Sequence, residues 1–128
     1  MSAMTDYLEQ ALLNHVLRNV PFSSPSSVYI ALFTSAPGEA GGGTEVSGGG
    51  YARQAVTFTA PANGQVSNAA DVSFPVATAN WGTITHFALF DAASAGNMLL
   101  YGAFSLSKIV QVGDQLIIRA GDLVITFD

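Results

Sequence analysis

Apolar residues near the N-terminus recur every three to four positions, which is the period of an amphipathic helix. The residues on this face are Met4, Leu8, Ala11, Leu12, His15 and Val16. Thr5 is a suitable N-cap and Pro21 cannot continue a helix, so the pattern predicts a helix over residues 5–19. Leu13 and Leu17 widen the apolar stripe beyond what one contact needs. The helix is therefore expected either to plug its own domain or to contact a neighbouring subunit.

From residue 28 onwards the pattern becomes strand-like, with short apolar or alternating runs separated by turn residues. The predicted strands are 28–34, 51–58, 66–67, 71–74, 84–91, 98–105, 108–112, 115–119 and 122–127. The first run is apolar at nearly every position, which is typical of a strand buried on both faces. Many short strands after one helix predict an all-β fold, an antiparallel β-sandwich that is jelly-roll-like. We expect one domain over 1–128, with the helix in 1–20 and the strands in 28–128.

A glycine-rich loop over residues 41–50 separates the first two predicted strands. It holds two glycine triplets with Thr44, Glu45, Val46 and Ser47 between them. Loops of this length and composition tend to be functional or disordered, and ordering each residue costs about 1–2 kcal/mol. Val46 is the only large apolar side chain of the loop, and Glu45 is its only charge. We therefore expect the loop to be mobile in the free protein and to be ordered by a neighbouring subunit.

Three blocks of sequence carry a resemblance to a known family. In chain order after the N-terminal YLEQALLNHVLRN they read VYIALFTS, GTEVSGGGYARQAVTF and FPVATANWGTITHFALFDA. They resemble small virion proteins of tailed phages, usually called tail fibre proteins, which are similar to small β-sandwich proteins that act as capsid cement or decoration proteins. The resemblance implies a virion structural protein, assembled in the host cytoplasm. It also implies a homotrimer that contacts the major capsid protein or other virion proteins.

Two positions on the particle follow from this resemblance. One is capsid decoration, in which contacts with several shell subunits stabilise the capsid. The other is a tail fibre or tail-tip protein involved in host attachment. Receptor-binding proteins often expose aromatic residues at loop tips, whereas most aromatic residues here lie inside predicted strands. The sequence therefore favours capsid decoration, with the tail position as the alternative.

Composition supports assembly and argues against several other classes. Hydrophobic residues make up 49% of the chain and charged residues 10%, against about 25% charged in typical proteins. With so few charged residues, we expect part of the surface to be covered by further copies or partners. The alternative is a surface covered mainly by serine, threonine, asparagine, glutamine and glycine. The net charge is −5 and the four basic residues are dispersed, which argues against nucleic-acid binding. The longest apolar runs are too short to cross a membrane.

Candidate catalytic chemistry is sparse, so we expect no enzyme activity, cofactor or metal. Cysteine is absent, which excludes disulfides and thiolate metal sites. His15 and His86 are the only histidines and are expected to be structural. The serines lack a nucleophile-elbow pattern, and the glycine triplets lack the Gly-Lys-Ser/Thr ending of a phosphate loop.

The remaining candidates are contact residues. Trp81 is expected in the core, with an exposed ring at a sugar or subunit interface as the alternative. Tyr51 and Arg53 alternate along one strand and point to the same side, where Arg53 can pair with Glu45 or with a carboxylate of a partner. A solvated edge strand explains the same pattern. The candidate subunit contacts are Leu13, Leu17, Gly43, Glu45, Val46, Gly49, Tyr51, Arg53 and Trp81.

Overall fold

Ten strands and one helix make up the fold over residues 2–127. The computed structural model describes residues 2–127, so Met1 and Asp128 of the predicted domain lie outside it. The elements are β1 Ser2–Met4, α1 Asp6–Leu17, β2 Val28–Ser35, β3 Thr44–Glu45, β4 Gln54–Val56, β5 Gln65–Ser67, β6 Val72–Ser73, β7 Gly82–Phe90, β8 Met98–Val110, β9 Ile117–Ile118 and β10 Val124–Thr126. All the strand pairs are antiparallel. The predicted all-β class with one N-terminal helix is confirmed.

Helix α1 begins where the sequence predicts and rests on the sheet by its first half. The Leu8 N–H donates to the Thr5 hydroxyl, which is the expected N-cap bond. The same hydroxyl donates to the Met98 carbonyl oxygen at 2.7 Å, which ties the helix start to β8. Leu8 is buried, whereas Val16 is 71% exposed. The predicted apolar face therefore reaches the core only in the first half of the helix, because the helix leaves the sheet before its last turn.

The central sheet has the strand order β1-β8-β7-β2-β3, and β4 also pairs with β2. Both faces of β2 are covered, as its uniformly apolar sequence predicts. Ile30 and Leu32 point into the main core, whereas Ala31 and Phe33 point into a smaller cluster on the opposite face. Strand β8 is continuous, although two separate strands were predicted for its sequence.

Two small sheets form a second layer against one face of the central sheet. Strand β5 pairs with β10, and β6 pairs with β9. Buried side chains of both layers form a single cluster that includes Leu32, Phe87, Leu89, Phe74, Ile118 and Ile125. Burial of this apolar surface is the main source of stability in a chain without cysteine.

The opposite face of the central sheet is covered by loops. The rings of Phe33 and Phe90 stack with centroids 6.4 Å apart, and both residues are buried. The segment after β2 is tied to the helix start, because the Asp6 N–H donates to the Glu39 carbonyl oxygen at 2.9 Å. The Tyr101 hydroxyl donates to the Glu39 carboxylate at 3.2 Å. These bonds hold Glu39, which lies just before the glycine-rich loop, over this face.

Asn68 is a buried polar residue that connects strands of the second layer. Its amide nitrogen donates to the carbonyl oxygens of Ala70 and Arg119, both at 2.9 Å. Its side-chain oxygen accepts from the Leu123 N–H at 2.9 Å. The residue is 1% exposed. Asparagine is a typical turn residue, so the local sequence predicts only a turn at Asn68. In the structure its side chain satisfies three backbone groups between β5 and the approach to β10.

Asn68→Asp is expected to destabilise the protein by about 3 kcal/mol at neutral pH, because a buried carboxylate would face two carbonyl oxygens. This environment raises the pKa of the new carboxyl, so the loss is present above that pKa and shrinks as the pH falls through it. Urea unfolding of variant and parent at pH 7 and pH 4 measures the effect. The control is Asn80→Asp, since the Asn80 side-chain oxygen only accepts from the Val112 N–H. Equal losses in the two variants would contradict the role of Asn68.

Candidate functional site

The predicted loop is built into the central sheet. Thr44–Glu45 forms β3, which pairs with the end of β2. The Val46 N–H donates to the Leu32 carbonyl oxygen at 3.0 Å, and the Val46 side chain lies in the main core. The expectation that the loop has too few contacts within its own chain is wrong, because backbone pairing replaces the missing side chains.

Tyr51 fills a gap between the two short strands that pair with β2. Along β2, the pairing with β4 reaches Ile30, and the pairing with β3 begins at Phe33. Between them the Leu32 N–H donates to the Tyr51 hydroxyl oxygen at 3.0 Å. That hydroxyl donates to the Glu45 carboxylate at 2.6 Å. Burial, together with the hydrogen bond to Glu45, raises the pKa of Tyr51 above its ordinary value, so the phenol stays protonated at neutral pH.

Arg53 joins three segments through its guanidinium. Its Nε and Nη2 atoms donate to the two carboxylate oxygens of Glu45, both at 2.9 Å. Its Nη1 atom donates to the carbonyl oxygens of Ala92 and Ala95 at 3.0 and 2.8 Å. The guanidinium also lies 3.7 Å from the centroid of the Phe90 ring. The predicted pairing of Arg53 with Glu45 is confirmed, and the solvated-edge alternative is wrong because the Arg53 side chain is 8% exposed.

The charge state of Glu45 follows from these contacts. Burial by itself would raise the pKa of the Glu45 carboxyl, but hydrogen bonds from Arg53 and Tyr51 and the positive charge of Arg53 outweigh it. The pKa therefore lies below its ordinary value, and Glu45 is ionised at neutral pH. The resulting Tyr51–Glu45–Arg53 network acts as a structural bond between β3, β4 and the 91–97 turn.

Close packing requires glycine at two positions of the loop. A Cβ atom on Gly43 would lie 2.9 Å from the Ser35 carbonyl oxygen, and φ there is +73°. Gly49 has φ +60°, and its Cβ would lie 2.9 Å from Trp81 Nε1. The Trp81 indole N–H donates to the Gly49 carbonyl oxygen at 2.9 Å. Trp81 is buried against the Tyr51 ring, so its core location is confirmed and the exposed alternative is wrong.

The predicted contact residues thus divide into two groups. Seven of them pack within their own chain: Gly43, Glu45, Val46, Gly49, Tyr51, Arg53 and Trp81. Leu13 and Leu17 are 57% and 73% exposed and are free to meet another protein. Contact with a partner stays a prediction for both groups, but the second offers the accessible apolar surface.

Two groups of large, exposed apolar side chains stand out among residues 2–127. The first is the end of α1, with Leu13, Val16 and Leu17. The second is the far half of β8 and its surroundings, where Leu106 is 70% and Ile109 is 67% exposed. Sequence reasoning missed this second surface, because its side chains look like core positions of a strand.

Titratable groups outside the network form one notable cluster. Oxygen atoms of Asp6, Glu9 and Glu39 lie within 4.8 Å of one another at the start of α1. A hydrogen bond with Asp6 raises the pKa of Glu39. Exposed acidic groups often cluster without an ion, and this group by itself does not define a metal site. His86 bonds to the adjacent Thr85 hydroxyl at 2.7 Å, as expected of a structural histidine.

These features define a class: an antiparallel β protein whose charged network is structural and whose surface carries two groups of exposed apolar side chains. The family model of the Podophage GP4 fiber I protein gp80 matches residues 3–126, nearly the whole chain. The protein therefore belongs to this phage fibre family and is a virion structural protein. No curated protein matches the sequence. Among residues 2–127, no helix has the length and apolar character needed to cross a membrane.

Proposed function

We propose that the protein is a component of the tail fibre apparatus of a short-tailed phage, where several copies assemble with one another and with other virion proteins. The observation that carries the proposal is the match to a fibre family over residues 3–126. The protein acts by binding, without catalysis. Its Tyr51–Glu45–Arg53 network supplies rigidity to the scaffold and does not form a reaction centre.

The exposed surface supports assembly. Leu17, Val16, Leu106 and Ile109 are each at least two-thirds exposed. Monomeric proteins rarely expose groups of large apolar side chains, and burying such a group at an interface is favourable. Because the two groups lie on different elements, one copy can contact two neighbours at once. A homotrimer, as the sequence resemblance implies, is compatible with this arrangement.

Capsid decoration, the position that the sequence alone favoured, becomes the second candidate. The family description names a fibre, and this supports the tail over the shell. Capsid decoration requires the major capsid protein as a partner, whereas a position in the tail fibre apparatus requires other tail proteins.

The test is the location and copy number of the protein on purified particles. We expect gold-labelled antibodies to bind at the tail, and quantitative mass spectrometry to find far fewer copies than of the major capsid protein. Antibodies against the major capsid protein serve as the control. Label over the whole shell, with hundreds of copies per particle, would show capsid decoration and overturn the proposal.

A further inference from the structure

An open apolar groove lies where the two layers part at the edge of the central sheet. Among residues 2–127, β8 pairs with β1 only as far as Gly102, so the outer edge of residues 103–110 has no strand partner. The groove has a volume of about 560 Å³ and runs between this edge and strands β9 and β10. Its apolar lining includes Phe104, Leu106, Leu116, Ile117, Leu123 and Val124.

The groove is poorly suited to an added β-strand. The register between β7 and β8 shifts between Ile84 and His86, whose partners are Lys108 and Ala103. Residues 104–107 therefore bulge out of the ladder. Bulges interrupt the row of backbone donors and acceptors that an incoming strand needs, and they commonly protect sheet edges. An occupant is therefore expected to bind through side chains.

The same chain presents a ridge that matches such a groove. Leu13, Val16 and Leu17 are spaced at i, i+3 and i+4 along α1 and are all more than half exposed. Val20 lies three residues beyond the end of the helix and is 41% exposed. The spacing of the three helical residues is the one with which amphipathic helices bind apolar grooves. Among the described residues that line the groove, none comes from α1, since Thr5 and Leu8 hold the helix over the other half of β8.

We propose that the end of α1 from one copy binds in the β8–β10 groove of the next copy, so that the chain assembles head to tail. The two surfaces differ, so the contact is heterologous and produces a ring when the rotation between copies closes. This inference deepens the proposed function and rests on its assembly of several copies, but it does not depend on where those copies sit on the particle.

Charge complementarity supports a second copy as the occupant. Residues 10–38 contain one formally charged side chain, Arg18, directly after the last turn of α1. The groove carries Asp122 beside β10 and Lys108 on β8. Among residues 2–127, the ion pairs are Arg53–Glu45 and Arg119–Asp71, so Arg18, Asp122 and Lys108 have no ion-pair partner within that range. Asp122 suits Arg18, and Lys108 suits the partial negative charge of the helix C-terminus.

Cross-linking between copies tests the contact, and the absence of natural cysteine makes it clean. We would prepare Leu17→Cys and Leu106→Cys proteins and treat each alone, and then their mixture, with a short bismaleimide. The expected result is a linked dimer in the mixture and none in either variant alone. A mixture of Leu17→Cys with Val76→Cys is the matched control, since Val76 is 51% exposed and lies outside both surfaces.

A second measurement covers a cross-link that fails for reasons of geometry. Leu17→Asp is expected to shift the sedimentation of the protein to that of a monomer, while Val76→Asp leaves the sedimentation unchanged. Both variants are expected to keep the circular dichroism spectrum of the folded parent, although loss of association lowers the melting temperature of Leu17→Asp. Linkage of Leu17→Cys with itself would show a symmetric helix contact and overturn the proposal. So would an oligomer that Leu17→Asp leaves intact, or a parent protein that is monomeric at all concentrations. In each of these cases the location of the protein measured by gold labelling would be unaffected. A failure of this contact is therefore distinguishable from a failure of the fibre assignment.

Discussion

Replacing residues 41–50 by a short turn is expected to leave the isolated protein without a cooperative melting transition. The change removes β3, the buried Val46 side chain and the carboxylate that pairs with Arg53. Burial of one such side chain contributes about 1.5–3 kcal/mol, and removing one member of a buried ion pair costs about 3–5 kcal/mol. Their sum approaches the whole stability of a small domain, about 5–15 kcal/mol. Circular dichroism during heating measures the outcome.

The control for this prediction is Gly48→Ala. Gly48 has φ +73°, but a Cβ atom there would meet nothing within 4 Å. We expect it to cost only the conformational strain of about 1–2 kcal/mol and to retain a cooperative transition. If the shortened protein melts like the parent, then residues 41–50 are a connector and the contacts described above contribute little.

Arg53→Met is expected to destabilise the protein by about 3 kcal/mol at neutral pH. The substitution keeps most of the side-chain volume, but it leaves the Glu45 carboxylate without its bidentate partner and two carbonyl oxygens without donors. Glu45 is 25% exposed, so water limits the loss. Urea unfolding monitored by tryptophan fluorescence measures the change in the free energy of unfolding.

Arg119→Met is the matched control, because it breaks the other ion pair of the described residues. Arg119 and Asp71 are 67% and 48% exposed, and an exposed pair contributes about 0–1 kcal/mol. Equal losses in the two arginine variants would contradict the structural role that we give to Arg53.

At acidic pH, the difference in the free energy of unfolding between Arg53→Met and the parent should become smaller. The pKa of Glu45 is lowered in the folded protein, so its contribution to stability is present above the ordinary value of 4.5 and is lost as the pH falls through the folded pKa. Arg53 produces much of that lowering. Below the folded pKa, the parent therefore loses part of the advantage that it has over the variant at pH 7, and unfolding at pH 3 and pH 7 checks this.

The prediction of the network from sequence was partial. Alternation along the strand after the loop placed Tyr51 and Arg53 on one side, and the proximity of Glu45 in sequence made it a candidate partner. The hydrogen bonds from Arg53 to the carbonyl oxygens of Ala92 and Ala95 could not be predicted, because nothing in the local sequence indicates that the turn after β7 lies beside Arg53. Asn68 was likewise marked as a turn residue, since its partners at 119 and 123 are distant in the chain.

The sequence by itself determined the class of the fold and the start of its helix. Periodicity and capping are local properties, so α1, β2 and the last strand, β10, could be predicted from neighbouring residues. The tertiary structure decided which apolar residues are buried. Val46 and Val16 are the same residue type, but Val46 enters the core because β3 pairs with β2, whereas Val16 lies on the exposed end of α1. Burial depends on which segments meet across the chain, and that is a property of long-range packing that no local pattern contains.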